Sequence, residues 1–224
     1  MNQISKVLIC SALGWLSAQA QTFQDTVNTA IPDGNPNGLS STINVTGLAS
    51  QLQDITVSLD ISGGANGDLY AFLSHGSTGF AVLLNRTGKT ATDPFGYNDA
   101  GFNITLSDAV SLDIHNYGGN GGALLTGIWQ PDGRNVDPQL VLDTSARTAL
   151  LNSFAGSDPN GSWTLVVADM AGGGGQAVLN SWAIDITPVP EPGAGKLFLF
   201  IGGSCMFQYF RRKVPKYPRL ARSC

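Results

Sequence analysis

Apolar residues along the middle of the chain alternate with polar ones, which is the pattern of β-strands with one buried face. The clearest run spans residues 55–61 and has an apolar residue at every second position. Two runs, 69–73 and 80–84, are more continuously apolar, as expected for strands near the middle of a sandwich. Shorter alternating runs carry Ile43 and Val45; Phe102, Ile104 and Leu106; Trp163, Leu165 and Val167; and Trp182, Ile184 and Ile186.

Polar, glycine-rich connections separate these runs, at residues 33–36, 63–67, 118–122 and 172–175. Short strands joined in this way predict an all-β jelly-roll β-sandwich of about eight antiparallel strands. One helix is also expected, because Asp143 or Thr144 could cap it and Gly156 could end it. Its apolar residues would be Leu150, Leu151 and Phe154.

Residues 1–20 have the features of a secretory signal peptide. A single Lys6 precedes the apolar run 7–16, and residues 18–20 form the small-x-small pattern that signal peptidase accepts. A buried N-terminal helix is the alternative. The signal peptide is favoured because the run is too short to span a membrane and stands at the usual position of a signal peptide. The pattern predicts an exported protein whose domain body covers residues 21–187.

The last part of the chain, residues 188–224, carries three features in order. Pro190, Glu191 and Pro192 precede an apolar stretch at 197–210, and a basic cluster follows at 211–213. This order resembles the bacterial PEP-CTERM sorting signal, which implies membrane anchoring in the cell envelope and an exosortase-type partner that cuts near the motif. A plain C-terminal membrane anchor is the alternative, because basic residues after an apolar segment also hold it in a membrane.

The charge of the body differs sharply from that of its ends. Residues 21–189 contain fifteen aspartates, no glutamate and four cationic side chains, a net charge of −11. Such a charge argues against nucleic acid as a partner. The same segment has no cysteine, so a secreted domain of this kind depends on its core, and Ca²⁺ could supply further cross-linking.

A series of short motifs resembles the P domain, also called P/Homo B, which follows the catalytic domain in proprotein convertases and bacterial subtilisin-like proteases. The resemblance covers residues 29–186 and implies a jelly roll that stabilises or regulates a protease without performing chemistry. No protease domain accompanies it within these 224 residues. The motifs are Ala30-Ile31-Pro32-Asp33-Gly34, Gly67-Asp68-Leu69-Tyr70, Tyr97-Asn98-Asp99-Ala100, Asn160-Gly161-Ser162-Trp163-Thr164-Leu165 and Leu179-Asn180-Ser181-Trp182.

Catalytic chemistry is not indicated by the remaining motifs. The chain has no Gly-x-Ser-x-Gly elbow, and its two histidines, His75 and His115, are the only candidate imidazole bases. His75 follows Ser74 but is interpreted as a loop histidine. The triplet 143–145 reads Asp-Thr-Ser, as in aspartic proteases, but that chemistry needs a second copy, which is absent.

Calcium is the predicted ligand, because Ca²⁺ takes six to eight oxygens from carboxylates, amides and carbonyls in flexible loops. Stabilisation of turns is the alternative role for each residue. The candidate ligands are Asp60, Asn66, Asp68, Asn98, Asp99 and Asp169.

Two kinds of partner stay open at this stage. A protein partner, with a separately encoded subtilisin-like serine protease as one candidate, would be favoured by a flat apolar face with an acidic rim. Binding of carbohydrate or an exopolysaccharide matrix would be favoured by an exposed cluster of Tyr97, Tyr117 and Trp129. Trp163 and Trp182 are instead expected in the core, facing each other across the last two strands.

Overall fold

The computed structural model describes residues 19–49, 51–76 and 79–190, and one compact unit, Ala18–Val189, contains all of the described strands. Nine strands are described: β1 (Gln21–Ala30), β2 (Leu39–Val45), β3 (Leu52–Ser62), β4 (Leu69–His75), β5 (Gly79–Asn85), β6 (Gly101–Leu106), β7 (Leu125–Trp129), β8 (Gly161–Asp169) and β9 (Val178–Pro188). Three short 3₁₀ turns lie between them, at Asn66–Asp68, Ile114–Asn116 and Leu151–Phe154.

The strands form two sheets packed as a sandwich. One sheet has the order β1-β9-β3-β6-β7, and the other has the order β2-β8-β4-β5. The all-β sandwich predicted from the sequence is therefore confirmed. Two details differ: nine strands are described, and β7 pairs with β6 in parallel, whereas the other neighbours are antiparallel.

The period-two pattern of β3 places its apolar side chains between the sheets. Ile55, Val57, Leu59 and Ile61 are at most 2% exposed. Their burial stabilises the sandwich by roughly 1.5–3 kcal/mol for each side chain. Alternation along this strand is thus the main determinant of which face of the five-stranded sheet is buried.

Both tryptophans predicted in the core are there, since Trp163 and Trp182 are 0% and 1% exposed. They belong to different sheets, because β8 lies in the four-stranded sheet and β9 in the five-stranded sheet. The ring of Trp163 contacts His75 and Phe154. The indole N–H of Trp182 donates to the hydroxyl of Ser41 at 2.7 Å.

The helix predicted over residues 143–156 is wrong, since this segment contains only the 3₁₀ turn Leu151–Phe154. Its backbone groups bond instead to the segments beside it. The amides of Thr148 and Ala149 donate to the carbonyl of Gly133, and the carbonyl of Ala149 accepts from the amide of Val82 in β5. An extended path along the edge of β5 therefore replaces helical hydrogen bonds.

Candidate functional site

The glycine-rich segment 172–175 brings three aspartates into one neighbourhood, which we call the aspartate cluster: Asp33, Asp68 and Asp169. Asp169 ends β8 and lies opposite Leu69, the residue after Asp68, in the β4–β8 pair. The amide of Gly173 donates to both carboxylate oxygens of Asp33, at 3.1 and 3.3 Å. Gly174 lies so close to Asp68 that a β-carbon on it would be 2.9 Å from Oδ2.

The aspartate cluster is short of positive charge. Arg86 is the cation that lies nearby, with its Nη2 atom 3.5 Å from Oδ1 of Asp68. Asp169 is 1% exposed, and its Oδ1 accepts from the amide of Ala171, but its buried Oδ2 has no hydrogen-bond partner. The main-chain N–H of Gly34 also approaches the carboxylate of Asp169 and lowers its pKa against the larger raising effect of burial, so main-chain donors meet part of its charge.

Burial and mutual repulsion shift the titration of this cluster. Burial is the largest cause that raises the pKa of Asp68, and the charge of Asp169 adds to it against the lowering effect of Arg86. Burial also raises the pKa of Asp169, with a contribution from Asp33. The folded chain therefore binds these protons more tightly than the unfolded chain, and ionisation of the two carboxyl groups disfavours folding.

Asn66 and Asp99 organise a separate loop region. The amide of Asn66 is fully buried and exchanges hydrogen bonds with the main chain of Gly101, at 2.8 and 3.1 Å. The carboxylate of Asp99 accepts from the hydroxyl of Tyr117 and from the amides of Asn120 and Gly122, at 2.6–2.7 Å. These contacts match the turn-stabilising alternative, because Asp99 holds the 118–122 loop with donors from the chain itself.

The two other predicted calcium ligands lie elsewhere. Asp60 projects from β3 of the five-stranded sheet, accepts from the side-chain amide of Asn180 at 3.0 Å, and borders a shallow groove of about 260 Å³. Asn98 is exposed beside Asp99. Within residues 19–190 apart from 50, 77 and 78, no three His, Cys, Asp or Glu side chains gather closely enough to hold a metal by themselves. The six-residue set thus falls into separate regions, and calcium binding stays a prediction.

Tyr97, Tyr117 and Trp129, whose exposed clustering would favour carbohydrate binding, do come together. Ring centroids lie 4.3 Å apart for Tyr97 and Tyr117, and 6.0 Å apart for Tyr117 and Trp129. All three are only half-buried, but Tyr97 also packs on Gly88, where a β-carbon would approach its ring to 2.6 Å. The hydroxyl of Tyr117 donates to Asp99, and burial raises its pKa. Much of this aromatic cluster therefore stabilises the surrounding loops and does not form an open platform for a sugar ring.

His75 is a packing residue at the end of β4, so its interpretation as a loop histidine is wrong. It is 5% exposed and stacks on Trp163 with the ring centroids 4.1 Å apart and the planes within 7°. Its ring nitrogens lie 3.1 and 2.7 Å from the main-chain oxygens of Ser162 and Asp158. The imidazole thereby links β4 to β8 and to the loop before it.

His115 is completely buried beside Asp132. Its Nδ1 atom lies 2.7 Å from the carboxylate of Asp132, and its Nε2 atom lies 3.0 Å from the main-chain oxygen of Lys89. The carboxylate of Asp132 also contacts the guanidinium of Arg134 at 3.3 Å. Because both side chains are buried and bonded to other protein groups, a substrate could not reach this His–Asp pair. Its contacts instead hold the surrounding loops together.

Two loops that sequence reasoning missed meet at Arg86. Its guanidinium donates to the carbonyl of Pro94 and to the side-chain oxygen of Gln139, each at 3.4 Å. The next residues, Phe95 and Leu140, are each 73% exposed. We call Phe95, Leu140 and Val136, which directly precedes Asp137 and is 38% exposed, the Phe95–Leu140 surface.

The loops that carry this surface are built alike. Each begins with Asp-Pro, at 93–94 and at 137–138. The Asp93 carboxylate accepts from the amides of Phe95 and Gly96, and the Asp137 carboxylate accepts from the amide of Gln139. Both aspartates are exposed, so they provide an acidic rim. In the sequence, the two loops could have been recognised from the repeated Asp-Pro pair, which Phe95 follows directly and Leu140 follows after Gln139.

The predicted processing segments lie largely outside the described residues. Residues 1–18, Glu191, Pro192 and the tail to 224 are among those not described, and Pro190 is the last residue that is. In the part of the chain that is described, no helix is long and apolar enough to cross a membrane. Signal-peptide removal and sorting at Pro190, Glu191 and Pro192 stay predictions.

No family model matches the chain, and no curated protein matches it. Among solved structures, it is similar to the serine protease of Aeromonas sobria, with 15% identity and a TM-score of 0.45. A second similar structure is the complex of the Aeromonas sobria serine protease ASP with the chaperone ORF2, with 16% identity and a TM-score of 0.45. Each match covers 77% of this chain and 27% of the other, so this chain spans about a quarter of the length of each chain that it matches.

Proposed function

We propose that this chain is an exported, envelope-anchored module without catalytic activity that binds a protein partner through the Phe95–Leu140 surface. The resemblance to the P domain suggests a subtilisin-like serine protease, encoded separately, as that partner. Sorting of the tail by an exosortase-type enzyme would keep the module outside the cytoplasm. The presentation of Phe95 and Leu140 on two braced loops is the observation that carries the proposal.

Bracing distinguishes these side chains from apolar residues that are exposed singly. Arg86 is 4% exposed and joins the two loops, and the buried ammonium of Lys89 donates to the carbonyls of Gln139 and Val141 at 3.0 and 2.9 Å. Single exposed apolar side chains are common, whereas grouped ones usually mark a binding surface. Fixing the loops in advance also reduces the conformational entropy that binding would cost.

Charge defines the chemistry of the partner. Asp93 and Asp137 flank the apolar side chains, and the body as a whole carries a charge of −11 from its fifteen aspartates and four cations. A partner with apolar pockets and a basic rim would fit this surface, because complementary charge accelerates association and excludes partners of like charge. The aromatic hydroxyls that a carbohydrate site would use are partly occupied within the chain.

Site-specific photo-cross-linking tests this proposal. A photoreactive amino acid would replace Phe95 or Leu140 in the cells that produce the chain, with Leu112, which is 58% exposed, as the matched control position. We expect the same polypeptide adduct from positions 95 and 140 and none from position 112. Adducts of polysaccharide alone, or identical adducts from all three positions, would contradict it.

A further inference from the structure

Four asparagines in the chain directly precede a glycine: Asn37, Asn66, Asn120 and Asn160. An Asn-Gly pair can modify itself, because the amide nitrogen of the glycine can attack the side-chain carbonyl carbon of the asparagine. Glycine favours this attack, since it has no β-carbon to hinder it. The reaction needs an unpaired glycine amide and an asparagine side chain that can turn toward it. The folded structure therefore decides which of the four pairs reacts.

Asn120 and Gly121 lie in an exposed turn before β7. The carbonyl of Asn120 accepts from the amide of Ala123 at 3.2 Å, and φ is +65° at Gly121 and +84° at Gly122, as in a type I′ turn. A β-carbon on Gly121 would meet nothing within 4 Å beyond its chain neighbours. Among the described residues, no acceptor bonds to the amide of Gly121. The nitrogen that would attack is therefore unpaired.

Two of the other pairs have a glycine amide that is already bonded. The amide of Gly38 donates to the carbonyl of Asn35 at 3.0 Å. The amide of Gly67 donates to the carbonyl of Tyr97 at 2.8 Å, and Asn66 itself is fully buried. In both pairs the attacking nitrogen would first have to break its hydrogen bond, so the folded structure protects them.

The remaining two side chains are held differently. Asn160 is fixed at both ends, because its oxygen accepts from the amide of Leu48 and its nitrogen donates to the carbonyl of Leu48, each at 3.0 Å. Asn120 is held at one end, where its side-chain nitrogen donates to the carbonyl of Leu124 at 2.9 Å. A side chain held by one exposed hydrogen bond turns more easily than one held by two.

We propose that Asn120 deamidates spontaneously in the folded chain and that this change releases the 118–122 loop from Asp99. The nitrogen of Gly121 bonds to Cγ of Asn120, and the side-chain nitrogen leaves as ammonia with the proton of the glycine amide. The product is a five-membered succinimide ring. Water then opens the ring at one of its two carbonyl carbons, which gives aspartate or isoaspartate at position 120.

Both products weaken the attachment of the loop to Asp99. The carboxylate of Asp99 accepts from the amides of Asn120 and Gly122, at 2.7 and 2.6 Å. A carboxylate at position 120 repels it and no longer donates to the carbonyl of Leu124. Isoaspartate also inserts a carbon atom into the main chain between the two donating amides. The hydroxyl of Tyr117 still donates to Asp99, so the change stays within the loop.

Ageing of the purified full-length chain in mildly alkaline buffer tests the reaction, with mass spectrometry of its peptides at successive times. In the folded chain, Asn120 should react at least about tenfold faster than the other three asparagines, because those react only after local opening. In urea the four rates should agree within about threefold, since protection by the structure is lost. Equal rates at Asn120 and Asn37 in the folded chain, or no reaction at Asn120, would overturn the proposal.

Hydrogen exchange of the same samples tests the release of the loop. Amides in 118–122 should exchange at least about tenfold faster in the aged chain than in the fresh chain, and Asn120→Asp should show the same increase. Asn120→Gln is the resistant control, because its longer side chain forms the corresponding ring far less readily, and ageing should not alter its exchange. Asn37→Gln should age as the unmodified chain does. Unchanged loop exchange after complete reaction at Asn120, or an equal increase in aged Asn120→Gln, would overturn the proposal.

Discussion

Replacing Asp132 with alanine should lower the free energy of unfolding by about 3–5 kcal/mol, because the change leaves buried charge and polar groups without their partner. Asp132 is 0% exposed. Its carboxylate lies 2.7 Å from the imidazole of His115 and 3.3 Å from both the guanidinium and the amide of Arg134. The loss stays within this range because Arg134 retains its ion pair with Asp113 at 2.8 Å, so its charge is not left without a partner.

Urea denaturation measures this effect directly. Asp132→Asn should cost less than Asp132→Ala, because an amide retains an oxygen that accepts from one of the two partners. Asp54→Ala is the matched control, since Asp54 is exposed on β3 and its removal should change the free energy of unfolding by no more than about 0.5 kcal/mol. A loss below about 1 kcal/mol in Asp132→Ala would show that the buried network does not hold these loops.

The second large effect is expected from Trp163→Ala, which should also lower the free energy of unfolding by about 3–5 kcal/mol. The indole fills the core between β4 and the Leu151–Phe154 turn. It stacks on His75, packs at 4.9 Å from the ring of Phe154, and donates from its N–H to the carbonyl of Pro159 at 2.9 Å. Truncation leaves a cavity and a buried acceptor without its donor.

Denaturation followed by circular dichroism measures the loss, since the change removes a fluorophore. Trp129→Ala provides the comparison, because Trp129 is half-buried and its indole N–H donates within its own strand, β7, to the carbonyl of Thr126. We expect a clearly smaller loss from Trp129→Ala. Equal losses from the two variants would contradict the assignment of Trp163 to the centre of the core.

The central strands could be predicted from sequence because each has one strongly buried face. Alternation in β3 and β9 identified both strands and their inward residues. Two edge strands, β1 and β7, give a weaker signal, whereas the edge strands β2 and β5 carry apolar runs that could be recognised. In β1, Phe23 and Val27 are the apolar residues that pack against the core, and in β7 only Leu125 is buried, so neither strand was recognised.

The predicted helix shows a second limit. Residues 143–156 contain apolar side chains at spacings that suit a helix, and Asp143 is a plausible cap. The deciding hydrogen bonds join Ala149 to Val82 and to Gly133, which are distant in sequence. Local patterns do not contain this information, because tertiary contacts override local propensity.

Candidate sites were harder to predict than strands. Asp68 and Asp169 could be chosen from their loops, but Asp33 joins them only through the fold of the 172–175 segment. Phe95 and Leu140 are ordinary loop residues in the sequence, and their relationship depends on Arg86, which bonds to both loops. A surface formed by two loops is a product of tertiary structure.

The most direct test of the account is the affinity of the polypeptide captured through position 95 for the unmodified chain and for the double variant Phe95→Asp, Leu140→Asp. Each side chain is 73% exposed, so the substitutions should leave the fold intact. Loss of two apolar anchors should weaken binding by at least about 100-fold. Leu112→Asp, at an exposed position outside the surface, should bind as the unmodified chain does. Unchanged affinity in the double variant, or an equal loss in Leu112→Asp, would contradict the claim that this chain binds its partner through the Phe95–Leu140 surface.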